Sequence, residues 1–541
     1  MSSINSGSTD PRLTVHHTVQ KEGEGNLHAT CDQDTIKNAV RLRYQDLLNE
    51  QRSAPDKIFV TGYSFRDLDP KLVVLDEEIF EHPRTWPIRK KVLDTILIGA
   101  FCFLSPFAST IFAPSVHLLS RDLGITDSTT GALTVSIFLF AYAIGPLFLA
   151  PLSELYGRLP ILNTGNIFFV IFSVGAGFAR TPAQFFVTRF ISGIGGSASI
   201  SIIGGYVADI WALEVRPKAS GLVMLGPVLG PILGPVCGGW MSQGASWRWT
   251  LWIPAIASSI VGVASLMWMS ETYAPQVLRL KVQKIRKSRP DDQLYTVLDL
   301  LPQPTGFKFL LTQAVRPVMY LILNPALFLA SLFYSVVFGI VYLVIVTLAD
   351  VFGLGYGHSV GIVGTDFLAC GVGMIIGTFG TIKAMEVIFK RDTATGKMKY
   401  KPESRLLSCI VGTILMIGGL FMYGFSALKT HFIVPLIGIS IFTCGCMNVM
   451  MAIQLYTVDG FDFPASAFAA ISVLRCLFAG AFPLFGPRLF QTLGVDWGVA
   501  LLAFLVVGVG APLIILLYIF GSKLRDIGVN RMNNFEGRRG N

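Results

Sequence analysis

Four ionisable residues lie inside or beside long apolar runs, and they are the first candidates for chemistry: Asp94, Arg189, Asp366 and Arg475. A guanidinium at the centre of a membrane-spanning helix costs at least roughly 2.5 kcal/mol on insertion scales, so it normally faces a cavity or a partner. Arg189 sits in the outer half of its run, where snorkelling to the interface is the competing explanation. Arg475 lies about ten residues into its run, too deep to snorkel easily. Asp94 and Asp366 are acids that could bind and release a proton. Tyr142, Asn166, Asn448 and Gln454 add polar groups in or near the same runs. Together with 40 Phe residues they suggest an aromatic cavity with a few polar groups, suited to an amphipathic organic molecule. Phe is also ordinary lipid-facing filler.

Other arrangements carry less. His117 and Asp122 have the His-x4-Asp spacing of some acyltransferases, but so short a pattern arises readily by chance. No Gly-rich Lys-Ser/Thr loop is present, so direct ATP coupling has no support. The eight cysteines lie mostly in apolar runs, and Cys444 and Cys446 are poorly spaced for zinc. No metal and no cofactor are expected.

The elements that hold these residues follow from hydropathy. The chain has 541 residues, 52% hydrophobic and only 14% charged, against roughly 25% charged in soluble domains. Runs long enough to cross a bilayer fall near 92–115, 130–152, 160–179, 185–208, 217–241 and 249–270. Six more fall near 322–349, 360–382, 406–427, 432–456, 466–487 and 497–521. We number these spans 1 to 12. They predict an all-α polytopic membrane protein of twelve transmembrane helices in two pseudo-symmetric six-helix bundles. The expected organisation is a cytoplasmic, largely disordered tail (1–91), a first bundle (92–270), a central loop (271–321), a second bundle (322–521) and a C-terminal tail (522–541). A helical patch is expected over 34–51.

Basic residues set the orientation. With the N-terminus inside, the inner loops and C-terminal tail, with Lys218 at the mouth of span 5, hold 23 Lys and Arg against 5 in the outer loops, and the N-terminal tail adds 13 more. Both termini are therefore expected in the cytoplasm. The net charge of +9 reads as this topology signal, not as a nucleic-acid surface. No apolar segment follows Met1, so no cleavable signal peptide is expected.

The halves also echo one another. Span 4 ends Tyr206-Val207-Ala208-Asp209, and span 10 ends Tyr456-Thr457-Val458-Asp459. Span 5 opens Lys218-Ala219-Ser220 and span 11 Pro464-Ala465-Ser466, each running on to a Gly/Pro-rich stretch. Such symmetry is what two parallel repeats leave, with a binding cavity at their interface.

Within span 5, Gly226-Pro227, Gly230-Pro231 and Gly234-Pro235 recur every four residues, followed by Gly238 and Gly239. The glycines fall on one helix face and allow a neighbouring helix to approach closely, while each proline removes a backbone hydrogen bond. Between spans 2 and 3 the chain reads Ala150-Pro151-Leu152-Ser153-Glu154-Leu155-Tyr156-Gly157-Arg158. Gly157 permits a tight turn, and Glu154 with Arg158 can pair charges. Asp209, Glu214 and Arg216 cluster after span 4 and could join the same gate.

These motifs carry a resemblance. The span 2–3 turn resembles the loop signature of the major facilitator superfamily, which in that family clamps the cytoplasmic side of the two halves. Leu155 and Leu159 stand where basic residues are usual, so the clamp is electrostatically thinner. Arg189 and Gly193 resemble the family's Arg-x-x-x-Gly motif, linked there to proton coupling. The span 5 ladder resembles the family's antiporter motif, carried by exporters and lacking in most uptake symporters. With Gly145-Pro146, Trp247-Arg248-Trp249 and Glu271-Thr272-Tyr273-Ala274-Pro275 in one order, residues 90–521 look like the fungal twelve-spanner drug:proton antiporters. The resemblance implies a monomeric plasma-membrane efflux pump for a drug, toxin or secondary metabolite, driven by the proton gradient. A proton-coupled uptake symporter and a non-transporting sensor of the same fold are the alternatives.

Overall fold

The computed structural model describes residues 82–212, 215–288, 296, 299, 307–394, 402–461 and 464–540. The helical patch expected over 34–51, and Glu214, lie outside these residues. Every regular element among the described residues is helical.

Eleven helices are long and apolar enough to cross a membrane. Span 1 is Ile88–Thr110, span 2 Ser128–Tyr156, span 3 Arg158–Gly177, span 4 Pro182–Ile210, span 5 Arg216–Gly244 and span 6 Trp249–Trp268. Span 7 is Pro325–Ala349, and span 8 is Val360–Asp366 continued as Leu368–Ala394. Span 9 is Leu406–Ser426 and span 10 Ile433–Gly460. The last helix, Pro464–Gly540, is 77 residues long and breaks at Gly494 (φ 76°, ψ 169°). The break separates spans 11 and 12, which makes twelve.

Local chemistry explains several boundaries. Asp127 accepts the backbone N–H of Thr130 at 3.1 Å and starts span 2, and Asn324 accepts that of Leu327 at 3.1 Å ahead of Pro325 in span 7. A carboxylate or amide oxygen there satisfies one of the four orphan donors of a helix N-terminus. Gly157 ends span 2 with φ 105°, a conformation that L-residues with a Cβ avoid. The expected polar segments are also partly helical: Ala274–Ser288 and Phe307–Leu323 lie in the central loop, and the helix of span 12 continues through 522–540.

Exposed large apolar side chains run along the spans, among them Ile260, Leu266, Phe379, Ile414 and Phe504. Span 7 is the opposite: it is buried along almost its whole length. A helix that is hydrophobic all round, with apolar residues exposed on one side, has its outer face in lipid.

By packing, the chain divides into two units: Met1–Val92 with Tyr206–Pro217 and Glu271–Phe307, and the remainder, which holds most of the twelve spans. In the smaller unit, Arg84 Nη2 and Arg216 Nη2 donate to the carbonyl oxygen of Ala208 at 3.5 and 3.3 Å. Thr272 Oγ1 donates to Asp209 Oδ2 at 3.5 Å, and Lys91 lies 5.7 Å over the Trp211 ring.

Candidate functional site

Span 5 is held to span 1 by its glycines. A Cβ at Gly226 would lie 2.9 Å from the Phe103 nitrogen, one at Gly230 would lie 2.8 Å from the Phe107 nitrogen, and one at Gly234 would lie 2.7 Å from the Phe107 carbonyl oxygen. At Gly238 it would overlap the Ile111 carbonyl. The four-residue repeat thus forms a backbone-to-backbone seam. Pro235 has no N–H to offer the carbonyl of Pro231, and Thr110 Oγ1 of span 1 donates to that carbonyl at 3.4 Å instead.

Gly239 turns the other way. Its Cβ would lie 2.5 Å from the Val360 carbonyl oxygen and 2.9 Å from Gly364 Cα, in span 8 of the second bundle. Beside it, the backbone N–H of Gly361 donates to Gln243 Oε1 at 2.7 Å. His117, in the short helix Val116–Leu123 that follows span 1, lies 2.6 Å from Asp350 at the end of span 7. These inter-bundle contacts gather at the end that carries the span 1–2 and span 7–8 connections.

Farther in, the bundles meet through side chains at mid-span. Leu139, Tyr342 and Ala479 form one buried cluster. A Cβ at Gly480 would lie 2.8 Å from the Phe140 ring.

Arg189 and Arg475 lie within spans 4 and 11. Arg189 has no exposed surface, so it does not snorkel. Its Nη2 donates to the carbonyl oxygens of Ala108 at 2.5 Å and Ser109 at 3.4 Å. Those carbonyls belong to the last turn of span 1, which ends at Thr110 and leaves them without intrahelical donors; a cation there also suits the helix dipole. The guanidinium lies 4.6 Å from the Phe112 ring centre and 4.5 Å from that of Phe138, and such aromatic faces attract cations. Nearby, Ser105 bonds the Tyr142 hydroxyl and donates to the Gly196 carbonyl at 2.8 Å.

Arg475, in span 11, is only half-buried, although it lies deep within its span. It lies 5.0 Å over the Phe338 ring, and one turn away on span 7 the Tyr334 hydroxyl accepts Gln454 Nε2 at 3.0 Å. Spans 7, 10 and 11 therefore converge around one cation. Among the described residues no Asp or Glu pairs with Arg189 or Arg475.

The other expected residues are placed elsewhere. Asp94 is fully buried in the second turn of span 1. Asp366 sits at the break in span 8 and bonds His358 Nδ1 at 2.7 Å. Asn448 accepts Ser408 Oγ at 2.9 Å between spans 9 and 10, away from the arginines. Asn166 likewise joins span 3 to span 6 by donating to the Ser258 carbonyl at 3.0 Å. Glu154 is exposed and makes no ion pair with Arg158, because Arg158 folds inward. There it donates to Ser153 Oγ at 2.7 Å and fills the space beside Gly205, where a Cβ would lie 2.7 Å from the guanidinium. Asp209 and Arg216 lie together in the smaller unit.

Tyr334, Tyr342, Ser109, Phe112 and Phe138 are site residues that sequence reasoning did not single out. For Tyr334, Tyr342 and Phe138 the one available signal was the excess of Tyr and Phe in spans 2 and 7.

Comparison with known proteins agrees with this architecture. The family model described as Major Facilitator Superfamily matches residues 98–483. The efflux pump vrtL of Penicillium aethiopicum is 38% identical over 463 residues, covering 85% of this chain and 91% of that protein. The MFS-type transporter penM of Penicillium rubens is 37% identical, covering 84% and 90%, and the efflux pump radE of Floropilus chiversii is 35% identical, covering 93% and 95%. Among solved structures, the xylose transporter XylE from E. coli superposes with a TM-score of 0.54 at 15% identity, covering 79% of this chain and 97% of that one. A bacterial homolog to the human lysosomal transporter Spinster gives 0.53 at 13%, covering 84% and 99%. The chain is a multi-pass membrane protein of the transporter fold, and it belongs to the major facilitator superfamily.

Proposed function

We propose that this protein is an efflux pump that exports a small amphipathic organic compound in exchange for protons, by alternating access. The observation that carries the direction is the span 5 ladder, whose glycines form the seam on span 1 while Gly239 meets span 8. The names of the fungal relatives support the same direction. The basic-residue asymmetry supports cytoplasmic termini, and the resemblance to the fungal antiporters supports the plasma membrane as the address. On that topology the contacts at Gly239, Gln243 and His117 close the outer side. Asp366, bonded to His358 near that side, exchanges protons with the exterior, and Asp94, buried near the inner end of span 1, exchanges them with the cytoplasm when the inner side opens. Arg189 couples them through span 1, whose last carbonyls it holds. Glu154, Gly157, Arg158, Asp209 and Arg216 serve the inner gate. No cofactor is required, and the pump acts as a monomer.

Everted plasma-membrane vesicles test this reading with fluorescein as probe. An imposed acid-inside gradient should drive dye accumulation above that of vesicles without the protein, and a protonophore should abolish it. Accumulation that survives collapse of both the pH gradient and the potential would remove proton antiport. Intact cells that hold more dye than controls, rather than less, would reverse the direction.

A further inference from the structure

The cluster around Arg475 is built to receive something. Span 7 is buried along nearly its whole length, so the partial exposure of Phe338 opens into the protein and not into lipid. Arg475 and Gln454 are partly exposed, and Gln454 donates to the Tyr334 hydroxyl one turn from Phe338. That hydroxyl accepts the Gln454 amide, which leaves its own proton free to donate. Arg475 Nε is closed off from solvent and has no hydrogen-bond partner among the described residues. A cation at this depth calls for a counter-charge, and no carboxylate of the described chain supplies one. The Phe338 ring lies against the guanidinium at 5.0 Å, offering a flat apolar wall next to the charge.

The first bundle's arginine shares the unpartnered Nε and the missing carboxylate, but not the exposure. Arg189 has zero exposure and spends its Nη2 on two backbone carbonyls, so it is closed to any ligand. The two cations, alike in the sequence, differ in availability.

We propose that Arg475, Tyr334 and Gln454 form a subsite for the carboxylate of an aromatic cargo, whose ring packs against Phe338. The proposal rests on the transporter reading above and adds the chemical class of its cargo: an organic anion. In this subsite the guanidinium supplies the charge and Tyr334 the second hydrogen bond. Gln454 holds the tyrosine oxygen in place. Planar recognition of a carboxylate by a guanidinium fork is selective for that group over a neutral isostere.

The test is equilibrium binding to the purified full-length protein by titration calorimetry, with 2-naphthoate and its neutral isostere 2-naphthamide as probes. The wild-type protein should bind 2-naphthoate about tenfold or more tightly than 2-naphthamide, the ratio that one charged hydrogen bond supplies. Arg475→Gln should remove that preference while leaving 2-naphthamide within about twofold, which also reports that the cavity is intact. Arg475→Lys should keep part of the preference, having charge without the fork. Should Arg475→Gln fail to fold, Tyr334→Phe decides: it should weaken 2-naphthoate about threefold and leave 2-naphthamide unchanged. Equal affinities in the wild type, no binding of 2-naphthoate, or a parallel loss of both probes in the variants would each overturn the proposal. Binding at equilibrium is blind to the direction of transport. The vesicle assay and this one can therefore fail independently.

Discussion

Replacing Gly239 by Ala should prise open the contact between span 5 and span 8 without harming the seam between span 5 and span 1. The added Cβ would stand 2.5 Å from the Val360 carbonyl oxygen and 2.9 Å from Gly364 Cα. Both are backbone atoms, so neither can swing away as a side-chain tip would. Overpacking of this kind costs about 1–3 kcal/mol. If the bundles rock as units, the clash exists only where spans 5 and 8 touch, and the whole cost falls on that closed state. The ratio of closed to open molecules should then fall roughly 5- to 150-fold. Gly230→Ala is the control. Its Cβ would lie 2.8 Å from the Phe107 nitrogen and 2.9 Å from the Phe103 carbonyl oxygen, both within the first bundle, so it should lower stability and leave the ratio alone. Spin labels at Thr126 and Lys429, one exposed in each bundle at this end, report the opening in a cysteine-depleted background by pulsed dipolar spectroscopy. A long-distance population should grow in Gly239→Ala and not in Gly230→Ala. Identical distance distributions in the two variants would refute the idea that Gly239 and Gly230 serve different interfaces.

The same distance measurement has a pH arm. The hydrogen bond to Asp350 holds the His117 imidazolium above its usual value in the connection between spans 1 and 2. Protonation therefore favours the closed contact, fully below about pH 6.5, and the contribution is lost as pH rises through the raised value. Both side chains are substantially exposed, so the effect should be about 1 kcal/mol or less, and His117→Gln should flatten it. Arg189→Gln should cost about 2–4 kcal/mol, since it strips two carbonyls of their donor and two rings of their cation; melting in detergent should show a larger drop than Arg475→Gln. Gly157→Ala forces a Cβ onto φ 105°, about 1–3 kcal/mol of strain, read as a lower melting temperature.

Much of the fold was legible because bilayer spans announce themselves by length and hydropathy, which need no knowledge of neighbours. The Gly226–Gly238 seam was legible for a similar reason: a four-residue repeat defines a helix face by geometry alone. Which face meets which helix was not. Asn448 and Asn166 stand in helices that are apolar all round, so no polar stripe marks the inward side, and each turned out to join adjacent helices. Glu154 and Arg158 have the right spacing to pair, yet the pocket beside Gly205 accommodates the guanidinium and leaves the carboxylate in water. The partnership of His117 with Asp350 spans 233 residues and leaves no local trace. Arg189 and Arg475 look equivalent as letters. Only the end of span 1 at Thr110 tells that one of them holds two backbone carbonyls.

The position of each arginine after its partners in the chain bears on biogenesis. Arg189 binds carbonyls of residues 108 and 109, three spans upstream, and Arg475 lies over the Phe338 ring, four spans upstream. In a chain inserted from its N-terminus onward, each cation reaches the membrane after its partners have entered it. The insertion machinery therefore need not hold an uncompensated guanidinium in lipid for long. A permuted chain that made span 4 before span 1 would lose that protection, and its first failure would be retention of span 4 outside the bilayer.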